Sequence, residues 1–489
     1  MRSFHVGGDD GKSETIKNNS GKNPLARRLP WTTEFQKRIK LFPWWLKYNV
    51  GINRQASLKD KIIDLAKISG LDEKNTKKLL RHAVSEFSKN GLGADYYGYH
   101  NIDHELEVTY FSLLAADYHL KKGQFSIDDV KAVFVAALFH DFDPLKRFDK
   151  PHEDCVETFV RSDNKIGKLV SKFNININIM LALIHRTAYP FKGDIAKYAE
   201  KRISLLLTEA NIPETDTESR NHFRDLGWFL SICDRIASYC MNDFEYSKKL
   251  ARLNAHALGW HPSVINEQSV KYFTALKEEK NMLDFVTTGI PENYTRNLYN
   301  NISEFRNAWE NEVAVKNSIR RNDVNFTSVI EKCGKRMDLT LKNSIIKLYE
   351  EFYDPVILEK AFKRTLDDNE AILISLRTNT GKGDVVGYVK GGSLEKYSLR
   401  RGTVDVNYGK KNTAYMEWIK IKPAYWGETG GHLLRSKFLH ESKQHGFQFV
   451  SSYVHRDVII SRQSKGETIE IVQKYDPDKL DYYRIKLRT

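Results

Sequence analysis

The chain has 489 residues, 41% hydrophobic and 29% charged, which indicates a soluble globular protein with two or three domains. No run of 18 or more apolar residues is present and the first ten residues have no apolar core, so neither a membrane span nor a secretory signal is expected. The net charge of +14 would attract polyanions such as nucleic acid or nucleotides, although a lysine-rich proteome explains it equally well. Four cysteines, none in a CxxC pair, predict reduced thiols and a cytoplasmic protein.

The first 90 residues divide by composition into two parts. Residues 1–24 are rich in Gly, Ser, Asn, Lys and Asp, which predicts a disordered basic tail. Residues 25–90 form a basic, aromatic segment whose apolar spacing predicts two helices between 57 and 90, separated at Gly70. Its three tryptophans either pack onto the next domain, which we favour, or contact an anionic membrane surface.

Residues 91–300 show helical periodicity throughout and carry a set of potential metal ligands. His100 and His104 are four residues apart, a spacing that on a helix places both imidazoles on one face. An apolar helix then ends at His140-Asp141, and Asp234 lies within a later apolar stretch. Imidazole nitrogens and carboxylate oxygens in this pattern predict a site for a divalent metal.

The order of these residues, HNxxH…HD…D, resembles the HD phosphohydrolase superfamily and its cyclic-nucleotide phosphodiesterase branch. The resemblance implies that His104, His140, Asp141 and Asp234 bind a divalent ion (Fe, Mn, Zn or Mg), with His100 as the proton donor. His185 is a candidate ligand of a second metal, but it would equally contact substrate phosphate or cap its helix. Further candidates for substrate binding are Asn101, Arg186 and Lys146.

This resemblance implies a metal-dependent phosphohydrolase for a nucleotide-type phosphoester, either a cyclic nucleotide or a nucleoside phosphate. Two other interpretations remain open. The helical domain would be a catalytically silent nucleotide sensor that regulates the C-terminal domain, or the whole chain would be a basic scaffold associated with nucleic acid.

The C-terminal part changes from helical to strand periodicity. Residues 301–344 are polar and charged, which predicts a helical connector, whereas residues 345–489 contain a series of short strands. The fold class predicted is multidomain: an all-α HD bundle followed by an α/β domain with a mixed sheet.

Within this C-terminal domain, a strand ending near Ile421 is followed by a glycine-bearing turn and an amphipathic helix. This order supplies backbone N–H groups and a helix dipole to an anion. It resembles the GNAT acetyltransferase superfamily, although Trp426 stands where that family usually has a basic or amide residue. The resemblance implies an N-acetyltransferase that binds acetyl-CoA and acetylates an amine of a protein or small molecule, with Glu417 as general base. The implied coenzyme-binding residues are Gly427, Thr429, Gly430 and Gly431, of which Thr429 replaces a glycine of the family pattern.

Overall fold

The computed structural model describes residues 44–89, 99–145, 151–257, 264–335, 337–350, 365–399, 403–417, 419–427, 429–474 and 480–487. The predicted tail over residues 1–24 lies outside these ranges, as does Lys146. Within the described ranges, helices dominate the first two thirds and a mixed sheet occupies the remainder. This agrees with the predicted change of periodicity.

Thirteen helices form the first part of the described chain. They share one large apolar core, to which the buried faces of most of them contribute. Local signals in the sequence set several of their ends. Gly70 closes the first helix with a φ of +84°, a conformation that favours glycine, and Ser126 with Asp129 forms a capping box. The helices are α1 (Trp44–Ile68), α2 (Glu73–Lys89), α3 (Ile102–Lys121), α4 (Ile127–Phe139), α5 (Glu153–Ser162), α6 (Asn164–Val170), α7 (Ile177–His185), α8 (Gly193–Glu209), α9 (Thr217–Met241), α10 (Phe244–Ala257), α11 (Ile265–Glu278), α12 (Lys280–Thr288) and α13 (Glu292–Arg320).

The HNxxH segment departs from its prediction in one respect. Helix α3 begins at Ile102 with Asn101 as its N-cap, so His100 lies in the turn before the helix and does not share a helix face with His104. The cause is the Asn101 side chain, which accepts hydrogen bonds from the backbone amides of Asp103 and His104 and so starts the helix there. None of the helices in the described ranges is long and apolar enough to cross a membrane.

The second part is an eight-stranded sheet with the order β1-β2-β3-β4-β6-β8-β7, with β5 paired to β3. Only the pair β4 and β6 is parallel, and all other pairs in the described ranges are antiparallel. Two helices cover opposite faces of the sheet. One buries its residue Phe438 against one face, and the other buries its residue Ile345 against the opposite face. The elements are β1 (Phe326–Glu331), α14 (Leu339–Glu350), β2 (Ile372–Thr378), β3 (Val385–Ser393), β4 (Thr413–Met416), β5 (Lys420–Ile421), α15 (Gly430–Gln444), β6 (Phe449–His455), α16 (Arg456–Gln463), β7 (Glu470–Gln473) and β8 (Leu480–Lys486).

The segment predicted as a helical connector, residues 301–344, differs from that prediction. Its first part is the end of α13, which buries Ile302 and Phe305 in the helical core. Its second part contains β1, which pairs with β2 and therefore belongs to the sheet. The sheet thus begins at Phe326, before the predicted boundary at 345.

Candidate functional sites

Three helices of the bundle bring four of the predicted ligands together. Helix α3 carries His104 in its first turn, α4 ends at His140 and Asp141, and α9 carries Asp234. Helix α3 packs against both α4 and α9, which places the three segments side by side. One ligand atom from each of the four side chains lies within 4.8 Å of the others.

The distances within this cluster fit a bound ion. Asp234 Oδ1 lies 3.1 Å from His104 Nε2 and 3.2 Å from His140 Nε2, and the two nitrogens are 3.3 Å apart. Asp141 Oδ2 lies 3.4 and 3.5 Å from the same nitrogens. Ligand atoms about 2.1 Å from one ion are separated by roughly 3.0–3.4 Å in octahedral or tetrahedral coordination. The four side chains therefore fit a divalent cation.

The orientation of His140 supports the same interpretation. Its Nδ1 lies 2.9 Å from the carbonyl oxygen of Ala137, which can only accept, so Nδ1 carries the proton. The lone pair of Nε2 then faces the cluster, as a metal ligand requires. Glu105 supports this arrangement, because Oε2 lies 3.0 Å from His140 Nδ1 and Oε1 accepts the backbone N–H of Asp141.

The charges of the cluster shift the pKa values of its members. Burial lowers the pKa of His104, but the Asp141 and Asp234 carboxylates outweigh it and raise the pKa to about 9. Burial raises the pKa of both aspartates, and the nearby histidines reverse this and hold it well below the usual range. Burial likewise raises the pKa of Glu105 to about 7, against the opposing effect of His140. Without an ion the cluster is an imidazolium–carboxylate network, whose protons a metal would displace.

His100 lies beside the cluster without joining it. Its Nε2 is 3.7 Å from Asp141 Oδ2, and its ring centre is 6.1 Å from that of His104. The Tyr99 ring packs against His104 at 4.5 Å between ring centres. This position is compatible with the predicted role of His100 as a proton donor outside the ligand set. The role itself stays a prediction.

The structure does not bring His185 into the same cluster. His185 Nε2 lies 2.9 Å from Glu157 Oε2, and Glu157 is also paired with Arg161 and Arg202. Asp154, Glu157 and His185 form a separate group of potential ligands. Because two arginines already neutralise Glu157, hydrogen bonding explains this histidine without a metal.

The predicted substrate-binding residues differ in their surroundings. The Asn101 side-chain oxygen caps α3 and is engaged by two backbone amides, as described above. Lys146 lies outside the described residues. The Arg186 guanidinium stacks on the Phe191 ring, 3.7 Å from its centre. The Arg186 side chain makes no hydrogen bond or ion pair with any described residue.

The sheet provides a second candidate site at the turn between β5 and α15. The backbone passes through a 3-10 turn, Pro423–Tyr425, and then Gly427, whose φ of +88° favours glycine. Thr429 is the N-cap of α15 but makes no side-chain capping hydrogen bond. The first-turn amides of this helix therefore have no side-chain acceptor from their N-cap, which suits an anion.

The two glycines at the start of α15 have different surroundings. A Cβ on Gly430 would lie 2.5 Å from Leu376 Cδ2, so a side chain there would have to displace the buried Leu376 of β2. A Cβ on Gly431 would meet only Ile421 Cδ1, at 3.8 Å, which is ordinary contact. Packing thus explains Gly430 but not Gly431.

The parallel strands part next to this turn. The ladder between β4 and β6 ends at Tyr415 and Ser451, whereas β6 continues to His455. Glu417 follows β4 at the point of separation and forms an ion pair with Lys390. Lys390 is fully buried, so Glu417 has a structural duty as its counterion in addition to the predicted role as general base.

Two residues of these sites, Glu105 and Lys390, were not identified from the sequence. Glu105 was visible only as an acidic residue directly after His104, and its burial depends on α4 packing over α3. Lys390 stands among the apolar and glycine residues of β3, and its partner is 27 positions away. A charged residue within an apolar element was the available signal in both cases.

Comparison with known proteins adds a partial result. No protein-family model matches the chain, and no curated protein does. An N-acetyltransferase from Staphylococcus aureus Mu50 is 17% identical, with a TM-score of 0.24, and is matched over 33% of this chain and 99% of its own. The ribosomal-protein-S18-alanine N-acetyltransferase from Escherichia coli is 16% identical, with a TM-score of 0.23, over 33% and 96%. The PaiA N-acetyltransferase from Thermoplasma acidophilum, in complex with coenzyme A, is 15% identical, with a TM-score of 0.22, over 33% and 99%.

These similarities concern one third of this chain and nearly the whole length of each acetyltransferase. At such TM-scores and identities they assign neither a family nor an activity. The interpretation of residues 91–300 therefore depends on the sequence motif and on the geometry of the His104 cluster.

Proposed function

We propose that residues 91–300 form a metal-dependent phosphohydrolase for a nucleotide-type phosphoester, a cyclic nucleotide or a nucleoside phosphate. The observation that carries the proposal is the convergence of His104, His140, Asp141 and Asp234, in which the two histidine nitrogens lie 3.1–3.5 Å from each other and from the carboxylate oxygens. Two buried histidines and two half-buried carboxylates are rarely gathered in this way without a compensating partner.

The chain's own residues would have distinct tasks in the reaction. A divalent ion at this cluster would supply a Lewis acid that neutralises phosphoryl charge and acidifies the attacking water. The water oxygen forms the new P–O bond, the ester P–O bond breaks, and the leaving oxygen takes a proton. His100 lies 3.7 Å from Asp141 and outside the set of four ligands, so it would donate that proton. Tyr99 packs over His104 and limits the access of water from that side.

Metal analysis combined with an activity assay tests this proposal. Purified protein should contain about one or two divalent ions per chain and hydrolyse an activated aryl phosphodiester, with loss on chelation and recovery on adding metal. His140→Ala and the near-isosteric Asp234→Asn should lose both metal and activity. His119→Gln is the matched control, because His119 is equally buried in the bundle but contacts Gln124 and the Phe285 carbonyl instead. Full metal content in both site variants would contradict the proposal.

Metal binding without turnover on any phosphoester would instead favour the nucleotide-sensing interpretation. Salt-dependent retention on DNA in the absence of metal would favour the scaffold interpretation.

A second candidate function concerns residues 326–487, an N-acyltransferase that uses acetyl-CoA. The observation that favours it is the parting of the parallel strands β4 and β6 beside a glycine turn and an α15 N-terminus without a side-chain cap. Ligands of α/β folds commonly bind at the carboxyl ends of parallel strands and at helix N-termini. The acyl acceptor would be an amine, deprotonated with the help of Glu417.

Gly431→Glu tests the coenzyme site. The structure has room for a side chain at Gly431, and an acidic residue in the first helical turn favours the helix, so the variant should fold as stably as wild type. The added carboxylate would repel a pyrophosphate, so acetyl-CoA binding measured by calorimetry should disappear. Gly431→Gln is the matched control of similar size without charge, and it should bind more tightly than the Glu variant. Absence of binding by wild type would reject the candidate function.

A further inference from the structure

Arg186 is a partly buried cation that makes no hydrogen bond or ion pair with the described residues. Its guanidinium lies over the Phe191 ring at 3.7 Å and 5.7 Å from the Trp228 ring, measured to the ring centres. Its Nη1 is buried, and the side chain makes no hydrogen bond or ion pair with any residue in the described ranges. Burial lowers the pKa of Arg186 to about 10, which reflects the same loss of solvent. An unpaired guanidinium in such a place is costly unless an anion joins it.

The chain holds Arg186 in place through a glycine of the site-bearing helix. A Cβ on Gly227 would lie 2.7 Å from Arg186 Cβ and 3.1 Å from its Cγ, so α9 accepts the arginine stem only because residue 227 is glycine. Gly227 is also seven residues before the ligand Asp234. Seven residues are about two helical turns, or roughly 10 Å, so Arg186 packs on the same face of α9 as the cluster.

A second arginine adds to the charge of this region. Arg235 directly follows Asp234, is 7% exposed, and has its Nη1 2.7 Å from Glu279 Oε1. The other oxygen of Glu279 accepts a hydrogen bond from Trp228 Nε1 at 2.6 Å. Both carboxylate oxygens are therefore occupied, and one acidic group faces two guanidinium groups.

The remaining carboxylates near Arg186 do not neutralise the excess positive charge of the two arginines. Glu200 and Asp225 act on Arg186 electrostatically but form no ion pair with it. Glu200 is instead paired with Arg224 at 3.1 Å. Aromatic rings surround the two arginines, with Tyr189 below Arg235 at 5.7 Å from its ring centre. The rings limit solvent and hold each planar guanidinium in a fixed orientation, which suits recognition of phosphate.

We propose that Arg186 and Arg235 form a subsite for a second phosphate group of the substrate, on the face of α9 that carries Asp234 of the His104 cluster. This inference rests on the proposed phosphohydrolase function and specifies its substrate class. The preferred substrate is then a nucleotide with two separate phosphate groups. Cyclic nucleotides and simple monophosphates leave the arginines without their anion and are poorer substrates.

The test compares substrates that differ only in the second phosphate. Wild type should hydrolyse a nucleoside 3′,5′-bisphosphate with a kcat/KM at least tenfold above that for the corresponding 5′-monophosphate, mainly through a lower KM. Arg186→Gln should abolish this preference, lowering kcat/KM for the bisphosphate at least tenfold more than that for an activated aryl phosphodiester. Arg224→Gln removes one positive charge from α9, the helix against which Arg186 packs, at a residue that pairs with Glu200, so it should keep the preference.

Two outcomes would overturn the inference. One is a wild type that shows no preference for the bisphosphate while it hydrolyses the aryl diester. The other is an equal loss on all substrates in Arg186→Gln, which would make Arg186 structural only. Binding to the Asp234→Asn variant separates this question from the chemistry. Calorimetry should show the bisphosphate binding at least tenfold more weakly when Arg186→Gln is added, even if no phosphoester is hydrolysed by wild type.

Discussion

The two candidate sites of this chain are built from different parts of the polypeptide. In the helical bundle, side chains from α3, α4 and α9 converge, and their ligand atoms are within 4.8 Å of one another. In the sheet, the turn between β5 and α15 offers backbone amides and almost no converging side chains. Side-chain sites constrain residue identity and leave a readable motif, whereas a backbone site constrains conformation and leaves mainly glycines.

The buried charges of the two regions also differ. The His104 cluster combines two histidines and two carboxylates whose ligand atoms face a common centre. The Lys390–Glu417 pair in the sheet is closed, because a buried amine and one carboxylate satisfy each other. The His104 cluster can therefore bind a further ligand. The Lys390–Glu417 pair contributes mainly to the stability and geometry of its strands. The following variants test this difference between the two regions.

The largest effect is expected for His100→Ala. His100 lies outside the ligand set, so the variant should keep its metal, and hydrolysis of a nucleotide phosphoester should fall by about 10²–10⁴-fold through loss of the proton donor. An activated aryl phosphodiester should lose much less, because its leaving group needs little protonation. His152→Ala, at an exposed histidine before α5, is the control. Equal losses on the two substrates would exclude a proton-donor role.

Removal of Glu417 should affect folding more than a surface carboxylate would. Glu417→Ala leaves the buried Lys390 amine without its carboxylate, although the Thr365 hydroxyl still accepts from it, which should lower the free energy of unfolding by about 2–4 kcal/mol, less than for a fully buried pair. The side chain of Glu417 is 24% exposed, which is the reason for the reduction. The double variant Lys390→Met/Glu417→Leu should recover most of the loss in urea denaturation. If Glu417→Ala unfolds at the wild-type urea concentration, the pair is not a closed structural unit.

A smaller effect is expected for Glu105→Gln. The amide retains the shape of Glu105 but loses the charge beside His140 Nδ1, so metal affinity should fall by about 10–100-fold without loss of the fold. Asp117→Asn is the matched control, since Asp117 is also a buried carboxylate of α3 but pairs with Ser69 and Lys121. Competition with a metal chelator measures both. An unchanged affinity in Glu105→Gln would mean that Glu105 does not orient His140.

The sequence was sufficient for what short-range patterns determine. It predicted the mostly helical first part, the end of α4 at His140-Asp141, and the strand–turn–helix before Gly431, because apolar periodicity, Pro144 and glycine positions act locally. The convergence of His104 with Asp234 followed from the motif as a hypothesis. The motif gave no information on Glu105, whose role arises from helix packing.

The sequence did not predict the features that depend on residues far apart in the chain. Strand β1 is only six residues long in a polar segment and exists because β2, more than 40 positions away, pairs with it. His100 was placed on a helix because periodicity cannot detect that the Asn101 side chain starts the helix after it. His185 was a candidate ligand of a second metal, which stays a prediction, and the sequence did not show its partner Glu157, which lies 28 positions earlier on another helix.

The smallest effect expected is a linkage between the two sites, and α13 is the element that would transmit it. This helix buries Leu298 and Ile302 in the helical core, and it also contacts the turn Pro423–Tyr425 that leads into Gly427. The Tyr425 ring packs against Phe326, the first residue of β1, at 6.1 Å between ring centres. A shift of α13 on ligand binding in the bundle would therefore reach the glycine turn.

A non-hydrolysable nucleotide bound to the metal-loaded bundle should change acetyl-CoA affinity by about fivefold, or about 1 kcal/mol, at the low end of typical couplings. Thermodynamic linkage requires that acetyl-CoA change nucleotide affinity by the same factor, so calorimetry in both directions checks the result internally. Tyr425→Ala should reduce the coupling while each affinity, measured alone, changes less, because the proposed coenzyme site uses backbone amides and the substitution removes only the Tyr425 ring, which packs against Phe326. If both affinities stay constant in wild type, α13 does not transmit a signal and the two sites act independently. In that case the long helix serves only to join the sheet to the bundle.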